Sequence, residues 1–113
     1  MKYIITESKL EKTAIHYLNE MYGDLKENRT DKWPDSTFFI KDKKVYMERD
    51  LINNDLWVDY YSIWDDLETV FSFENSKIKD IITKWVDETY NIKGVKPDVS
   101  WHHPLNWWRK FII

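Results

Sequence analysis

The sequence predicts an α+β fold with an N-terminal helix, a three-stranded antiparallel sheet, two amphipathic helices and a Trp-rich C-terminal helix or strand. Two observations predict this class. Apolar residues recur at three- and four-residue spacing over 6–22 and 63–90, which indicates helices, and they form short runs between turn signals over 38–61, which indicates strands. Because neither amphipathic helices nor a half-apolar sheet can bury its face alone, we expect them to pack together.

Length and composition favour a single compact domain over residues 1–113. Hydrophobic residues make up 42% of the chain and charged residues 33%, a profile typical of soluble globular proteins. The absence of cysteine excludes a disulfide scaffold and a cysteine zinc site. No apolar run approaches the roughly 18 residues of a membrane span or the about 7–15 of a signal peptide, so we expect a cytoplasmic protein.

The first predicted helix covers residues 6–22, where apolar residues form a stripe at helical spacing. Thr6 or Ser8 can cap its N-terminus, and Gly23 can end it. The polar residues 24–36 that follow predict an exposed loop. Trp33 is the exception in this loop: it either folds back onto the core or stands out as a contact residue.

The central part of the chain predicts an antiparallel meander. Two apolar runs, 38–40 and 45–48, flank the polar residues 41–44 and favour a hairpin. Residues 56–61 predict a third strand, whose alternating side chains divide between two faces. One face carries Leu56, Val58 and Tyr60, and the other carries Trp57, Asp59 and Tyr61.

Two more helices are predicted after the sheet. Residues 62–71 indicate a short helix that Ser62 can cap, and residues 76–90 indicate a regular amphipathic helix that Ser76 can cap. The tail from residue 96 leaves two alternatives open. Pro104 could begin a last helix at its first position, or residues 107–113 could form a terminal strand.

Charge is distributed unevenly along the chain. Residues 48–74 contain eight acidic residues and one arginine, whereas residues 91–113 carry a net charge of +3. One interpretation is a solvated acidic face and a mildly basic tail. The other is a dipolar surface that steers a charged partner.

Candidate metal sites and catalytic sites each have a simpler explanation. His102 and His103 could bind a transition metal, but adjacent residues point apart in a strand, so we expect ordinary surface histidines. A magnesium site would also need carboxylates from a second element, so a solvated helix N-terminus explains the acidic cluster better. That cluster consists of Asp59, Asp65, Asp66 and Glu68. With two glycines and no recognisable nucleophile and base set, we expect no cofactor, no metal and no enzymatic activity.

Four sequence segments carry a resemblance to a known group. They read Tyr-Ile-Ile-Thr-Glu-Ser (3–8), Phe-Phe-Ile-Lys-Asp-Lys-Lys (38–44), Leu-Trp-Val (56–58) and Gly-Val-Lys-Pro (94–97). With them, most of the chain before residue 98 resembles small uncharacterised proteins encoded by tailed phages and other large-genome viruses. The resemblance implies no activity and no site residues.

The aromatic surplus predicts the function class. Seven tryptophans in 113 residues favour a small accessory factor that binds a host or viral protein, because tryptophan is enriched in binding hot spots. The predicted anchors are Trp33, Trp101, Trp107 and Trp108.

Two alternatives remain open beside this prediction. The first is a small-ligand or nucleotide binder that uses the side chains His103, Trp107, Arg109 and Lys110. The second is a structural or self-assembling virion component, and a homo-oligomer is compatible with either. Nucleic acid is not expected as a partner, because its binding normally needs a wider basic patch. A membrane is not expected either, because the chain lacks a spanning segment.

Overall fold

The structure is a computed structural model that describes residues 6–29, 31 and 33–100. It confirms the α+β class. Three α-helices and five strands occur in the described part, and a π-helical turn (Tyr60–Trp64) joins the fourth strand to the second helix. In chain order the elements are α1 (Glu7–Tyr22), β1 (Lys26–Asn28), β2 (Ser36–Lys41), β3 (Lys44–Asp50), β4 (Asp55–Asp59), α2 (Asp65–Thr69), α3 (Asn75–Tyr90) and β5 (Lys96–Ser100).

The strands form one mixed sheet in the order β1-β2-β3-β4-β5. Neighbours from β1 to β4 are antiparallel, whereas β5 runs parallel to β4. The three predicted strands form the expected antiparallel meander β2-β3-β4. The predicted strand number is wrong, because β1 and β5 extend this meander to five strands and the parallel β5 makes the sheet mixed. A parallel neighbour requires a long crossover, which the π-helical turn, α2 and α3 supply.

The two strands that the sequence did not predict lie at the two edges of the sheet. The three residues of β1 are all exposed and fall in the predicted loop, so they show no apolar alternation. The sequence of β5 contains Pro97, which argues against a strand interior. Both strands depend on backbone pairing with a neighbour, and local sequence patterns do not record that pairing.

Local signals account for both ends of α1. Of the two predicted caps, Thr6 is the one used, since its Oγ1 accepts the backbone N–H of Lys9 at 3.3 Å. Gly23 follows the helix as expected, but its φ of −72° is right-handed. A Cβ at Gly23 would lie 2.4 Å from the carbonyl oxygen of Asn19, so glycine is required there by close approach.

The predicted hairpin forms between β2 and β3. Its two turn residues, Asp42 and Lys43, have φ values of 51° and 65°. Two consecutive positive φ angles match the twist of an antiparallel pair. Asp42 and Lys43 adopt these angles although such turns usually contain glycine. A bulge beside Tyr46 then sends Val45 and Met47 into different apolar clusters.

The predicted third strand and the helix after it have different limits in the structure. β4 ends at Asp59, and the buried Ser62 lies within the π-helical turn, where its Oγ donates to Asp59 Oδ2 at 3.0 Å. Ser62 is therefore not a helix cap. α3 begins at Asn75, which places Ser76 inside its first turn instead of at the predicted cap.

Helices α1 and α3 pack on one face of the sheet, which we call the inner face. The main core lies between these helices and the sheet, and it includes Leu18, Phe39, Met47, Leu56, Val58, Ile78, Ile82 and Trp85. We call the opposite side of the sheet the outer face. It carries a smaller cluster in which Trp33 and Ile40 pack against the fully buried Phe38 and Val45. Within the described residues, no helix is long and apolar enough to cross a membrane.

Candidate functional site

The sheet register places one residue from each strand in a row across the outer face. The row consists of Asn28, Phe38, Glu48, Trp57 and Asp98. The neighbouring row contains Phe39, Met47, Val58 and Val99, which belong to or pack against the main core. Since side chains alternate along strands, the first row points away from α1 and α3.

The four tryptophans of the described part have three different environments. Trp64 and Trp85 are fully buried in the main core, whereas Trp33 is half-buried against Phe38 and Val45. Trp57 is 39% exposed. The main core therefore buries two of the four indoles, and the indole of Trp57 is the most accessible in this part of the chain.

Trp57 lines a recess of about 350 Å³ at the β5 edge of the sheet, which we call the Trp57 recess. Its lining residues are Asp55, Trp57, Lys79, Lys96, Pro97 and Asp98. Pro97 is buried, whereas Lys79, Lys96 and Asp98 are exposed. The recess thus combines an aromatic wall with charged groups of both signs.

Carboxylates flank Trp57 on both neighbouring strands. Glu48 of β3 is its partner on one side, and Asp98 of β5 is its partner on the other. Glu48 is half-buried and accepts a hydrogen bond from Ser36 Oγ at 3.0 Å. Burial raises the pKa of the Glu48 carboxyl, because the charged form is poorly solvated there.

The exposed edge of β5 lacks free N–H donors for further strand pairing. The Lys96 N–H donates to the Asn54 carbonyl at 3.0 Å, which directs the backbone groups of Lys96 and Asp98 toward β4. The backbone groups of Pro97 and Val99 consequently point away from β4, toward the exposed edge. Pro97 has no N–H, and the Val99 N–H donates to Asp98 Oδ1 at 2.8 Å.

Two larger recesses are weaker candidates. One, of about 580 Å³, lies beside β1 and the β2–β3 hairpin, where Lys41 forms an ion pair with Asp24 at 3.1 Å. The other, of about 480 Å³, lies where α3 begins and is lined by Leu10 and Phe73. Neither has a large, exposed apolar side chain in its lining. Exposed aromatic surface therefore favours the smaller Trp57 recess.

Two acidic residues of the 48–74 segment have different partners in the fold. Asp59 is buried and lies 3.5 Å from Lys44 Nζ, and Asp66 accepts hydrogen bonds from Tyr17 and Tyr22. Burial, followed by the hydrogen bond to Asp66, raises the pKa of the Tyr22 phenol, which therefore remains a donor. In the described residues, no group of three or more acidic or histidine side chains is arranged to hold a metal ion.

The residues predicted from sequence are only partly covered by the structure. Trp33 lies on the outer face, where it packs against Phe38 and Val45, and it is not part of the Trp57 recess lining. The other predicted residues lie outside the described part of the chain, namely Trp101, His103, Trp107, Trp108, Arg109 and Lys110. Trp57 was not predicted as an anchor. Strand alternation did place it opposite Leu56 and Val58, and that signal could have identified it.

Comparisons with protein-family models, with curated proteins and with solved structures find no match for this chain. The interpretation of the Trp57 recess therefore depends on its geometry and chemistry.

Proposed function

We propose that this protein is a non-enzymatic accessory factor that binds another protein through the Trp57 recess. One observation carries the proposal: the indole of Trp57 is 39% exposed in a recess of about 350 Å³. A tryptophan side chain offers a large, rigid apolar surface whose burial by a partner is favourable. Tryptophan is also among the residues that most often dominate the binding energy of an interface.

The backbone at the β5 edge favours contact through side chains. A partner that added a strand beside β5 would need N–H donors along the exposed edge. Pro97 and the hydrogen bond from Val99 to Asp98 remove those donors over the length of β5. We therefore expect the partner to cover Trp57 and its neighbours without extending the sheet.

The sequence-based anchors remain part of the proposal. Trp33 and the tail residues Trp101, Trp107 and Trp108 are expected to add to the contact surface. The resemblance to phage and viral proteins supports a host or viral protein as the partner, with the host cytoplasm as the place of action. Self-association of this chain through the recess is the competing outcome.

A pair of alanine variants tests the proposal. Trp57→Ala removes the recess indole, whereas Tyr61→Ala removes an aromatic that is 68% exposed and is not part of the recess lining. We expect Trp57→Ala to lose partners that wild type and Tyr61→Ala both capture from host lysate, as quantified by mass spectrometry. Circular dichroism should first confirm that both variants are folded. Capture of every wild-type partner by folded Trp57→Ala would refute the proposal.

A second measurement separates self-association from binding to another protein. Sedimentation velocity should show wild type and Trp57→Ala with the same mass if the recess receives a different protein. A wild-type oligomer that Trp57→Ala dissociates would identify a second copy of this chain as the partner and overturn the proposal of another protein.

A further inference from the structure

We infer that the Trp57 recess receives a basic side chain of the partner, preferably arginine, an inference which rests on the proposed function. The carrying observation is the order Glu48, Trp57, Asp98 across three adjacent strands. An accessible indole thus lies between two carboxylates on the same face of the sheet. A cation stacked on this indole would have an anionic neighbour on either side.

The spacing of the strands brings these groups within reach of one ligand. Adjacent strands are about 4.8 Å apart, so β3, which carries Glu48, and β5, which carries Asp98, are separated by about 10 Å. Trp57 lies on β4, the strand between them. A guanidinium placed over the indole can therefore donate to one carboxylate while it remains near the other.

Charge complementarity favours a cation over an anion. Asp55 and Lys96 are opposite each other in the β4–β5 register, so their charges offset. Glu48 and Asp98 then contribute two negative charges beside the indole, against the single positive charge of Lys79 from α3. A carboxylate or phosphate at Trp57 would be repelled by both Glu48 and Asp98.

The environment of Glu48 also favours a cation from the partner. Glu48 is half-buried in the row, and no ion pair with a lysine or arginine is found for it among the described residues. A cation from the partner would improve the solvation of the Glu48 carboxylate. The planar guanidinium of arginine fits best, because it can stack on the ring and donate in its own plane.

Isosteric variants isolate the two carboxylates. Glu48→Gln retains an oxygen that can accept from Ser36 Oγ, and Asp98→Asn retains one that can accept from the Val99 N–H. Both substitutions remove charge with little change in shape. The double variant Glu48→Gln/Asp98→Asn should therefore keep the fold and the indole while it loses the attraction for a cation.

The test uses full-length protein labelled with 5-fluorotryptophan and observed by fluorine NMR. The Trp57 resonance is assigned by its loss in Trp57→Phe. The probes are N-acetylarginine methylamide and its neutral isostere N-acetylcitrulline methylamide. We expect the arginine probe to shift the Trp57 resonance in wild type, with binding at least about threefold weaker in the double variant. The citrulline probe should bind wild type as weakly as the arginine probe binds the double variant.

Equal shifts with both probes, or an unchanged arginine response in the double variant, would overturn the inference. The outcome is separable from that of the proposed function. If Trp57→Ala loses captured partners but the arginine probe does not shift the Trp57 resonance, the proposal of protein binding is supported and the inference of cation recognition is refuted.

Discussion

The backbone N–H of Val99 donates to Oδ1 of Asp98 at 2.8 Å, and this bond closes the exposed edge of β5. Asp98→Ala should leave that N–H without its acceptor at a sheet edge, where it can pair with another chain. We expect Asp98→Ala to self-associate at lower protein concentration than wild type, as measured by light scattering. Asp98→Asn is the control, since it keeps an acceptor oxygen. Equal monodispersity of the alanine and asparagine variants would contradict the role of this bond.

A second prediction concerns the contact between α1 and α3. Asn19 Oδ1 accepts the indole N–H of the buried Trp85 at 2.9 Å and the Thr89 hydroxyl at 2.6 Å. Asn19→Ala removes the acceptor of a buried donor, which should lower the free energy of unfolding by about 1–3 kcal/mol. Urea unfolding measures this loss. Asn19→Asp should retain most of the stability, and an alanine variant as stable as wild type would show that the bond is dispensable.

A third prediction uses the ion pairs of Glu11. Its carboxylate on α1 lies 2.8 Å from Lys84 Nζ and 3.0 Å from Lys77 Nζ, both on α3. The hydrogen bond from Lys84, followed by that from Lys77, lowers the pKa of Glu11 from its ordinary value of 4.5. A lowered pKa stabilises the fold above pH 4.5, and this stabilisation is lost as the pH falls through the folded-state pKa.

Glu11→Gln should therefore be less stable than wild type at neutral pH, with the difference disappearing in acid. Thermal unfolding at pH 7 and near pH 3 compares the two proteins. A difference that grows on acidification would have the wrong sign for this pair.

Glu48 should show the opposite pH dependence. Burial raises its pKa above the ordinary value of 4.5, so the ionised form is less favourable in the folded chain than in the unfolded one. The resulting penalty is absent below pH 4.5 and develops as the pH rises through the folded-state pKa. Glu48→Gln should thus be more stable than wild type at pH 7 and equal to it in acid. A stability loss at pH 7 would show that Glu48 already has a compensating partner.

Sequence patterns predict the elements that local interactions define. The Thr6 cap, the stripe of α1 and the stripe of α3 arise from residues within one or two turns of each other. The sequence failed where distant backbone pairing decides the structure, as at β1 and β5. Pro97 is the clearest case, because its position at an exposed edge allows a strand that its identity argues against.

The candidate site shows the same division. Alternation within β4 indicates that Trp57 lies on a different face from Leu56 and Val58, which is a local pattern. Its position between Glu48 and Asp98 depends on the register of three strands, one of which the sequence did not predict. The number of tryptophans predicted that some indoles lie outside the core. Which indole is accessible depends on packing in the folded chain.

Site-specific photocrosslinking tests the central claim most directly. A photoreactive phenylalanine is placed at position 57 in one protein and at position 61 in another, and each is irradiated in host lysate. The proposed recess predicts a discrete crosslinked product from position 57 that the exposed position 61 does not give. No product from position 57, or the same products from both positions, would contradict protein binding at the Trp57 recess.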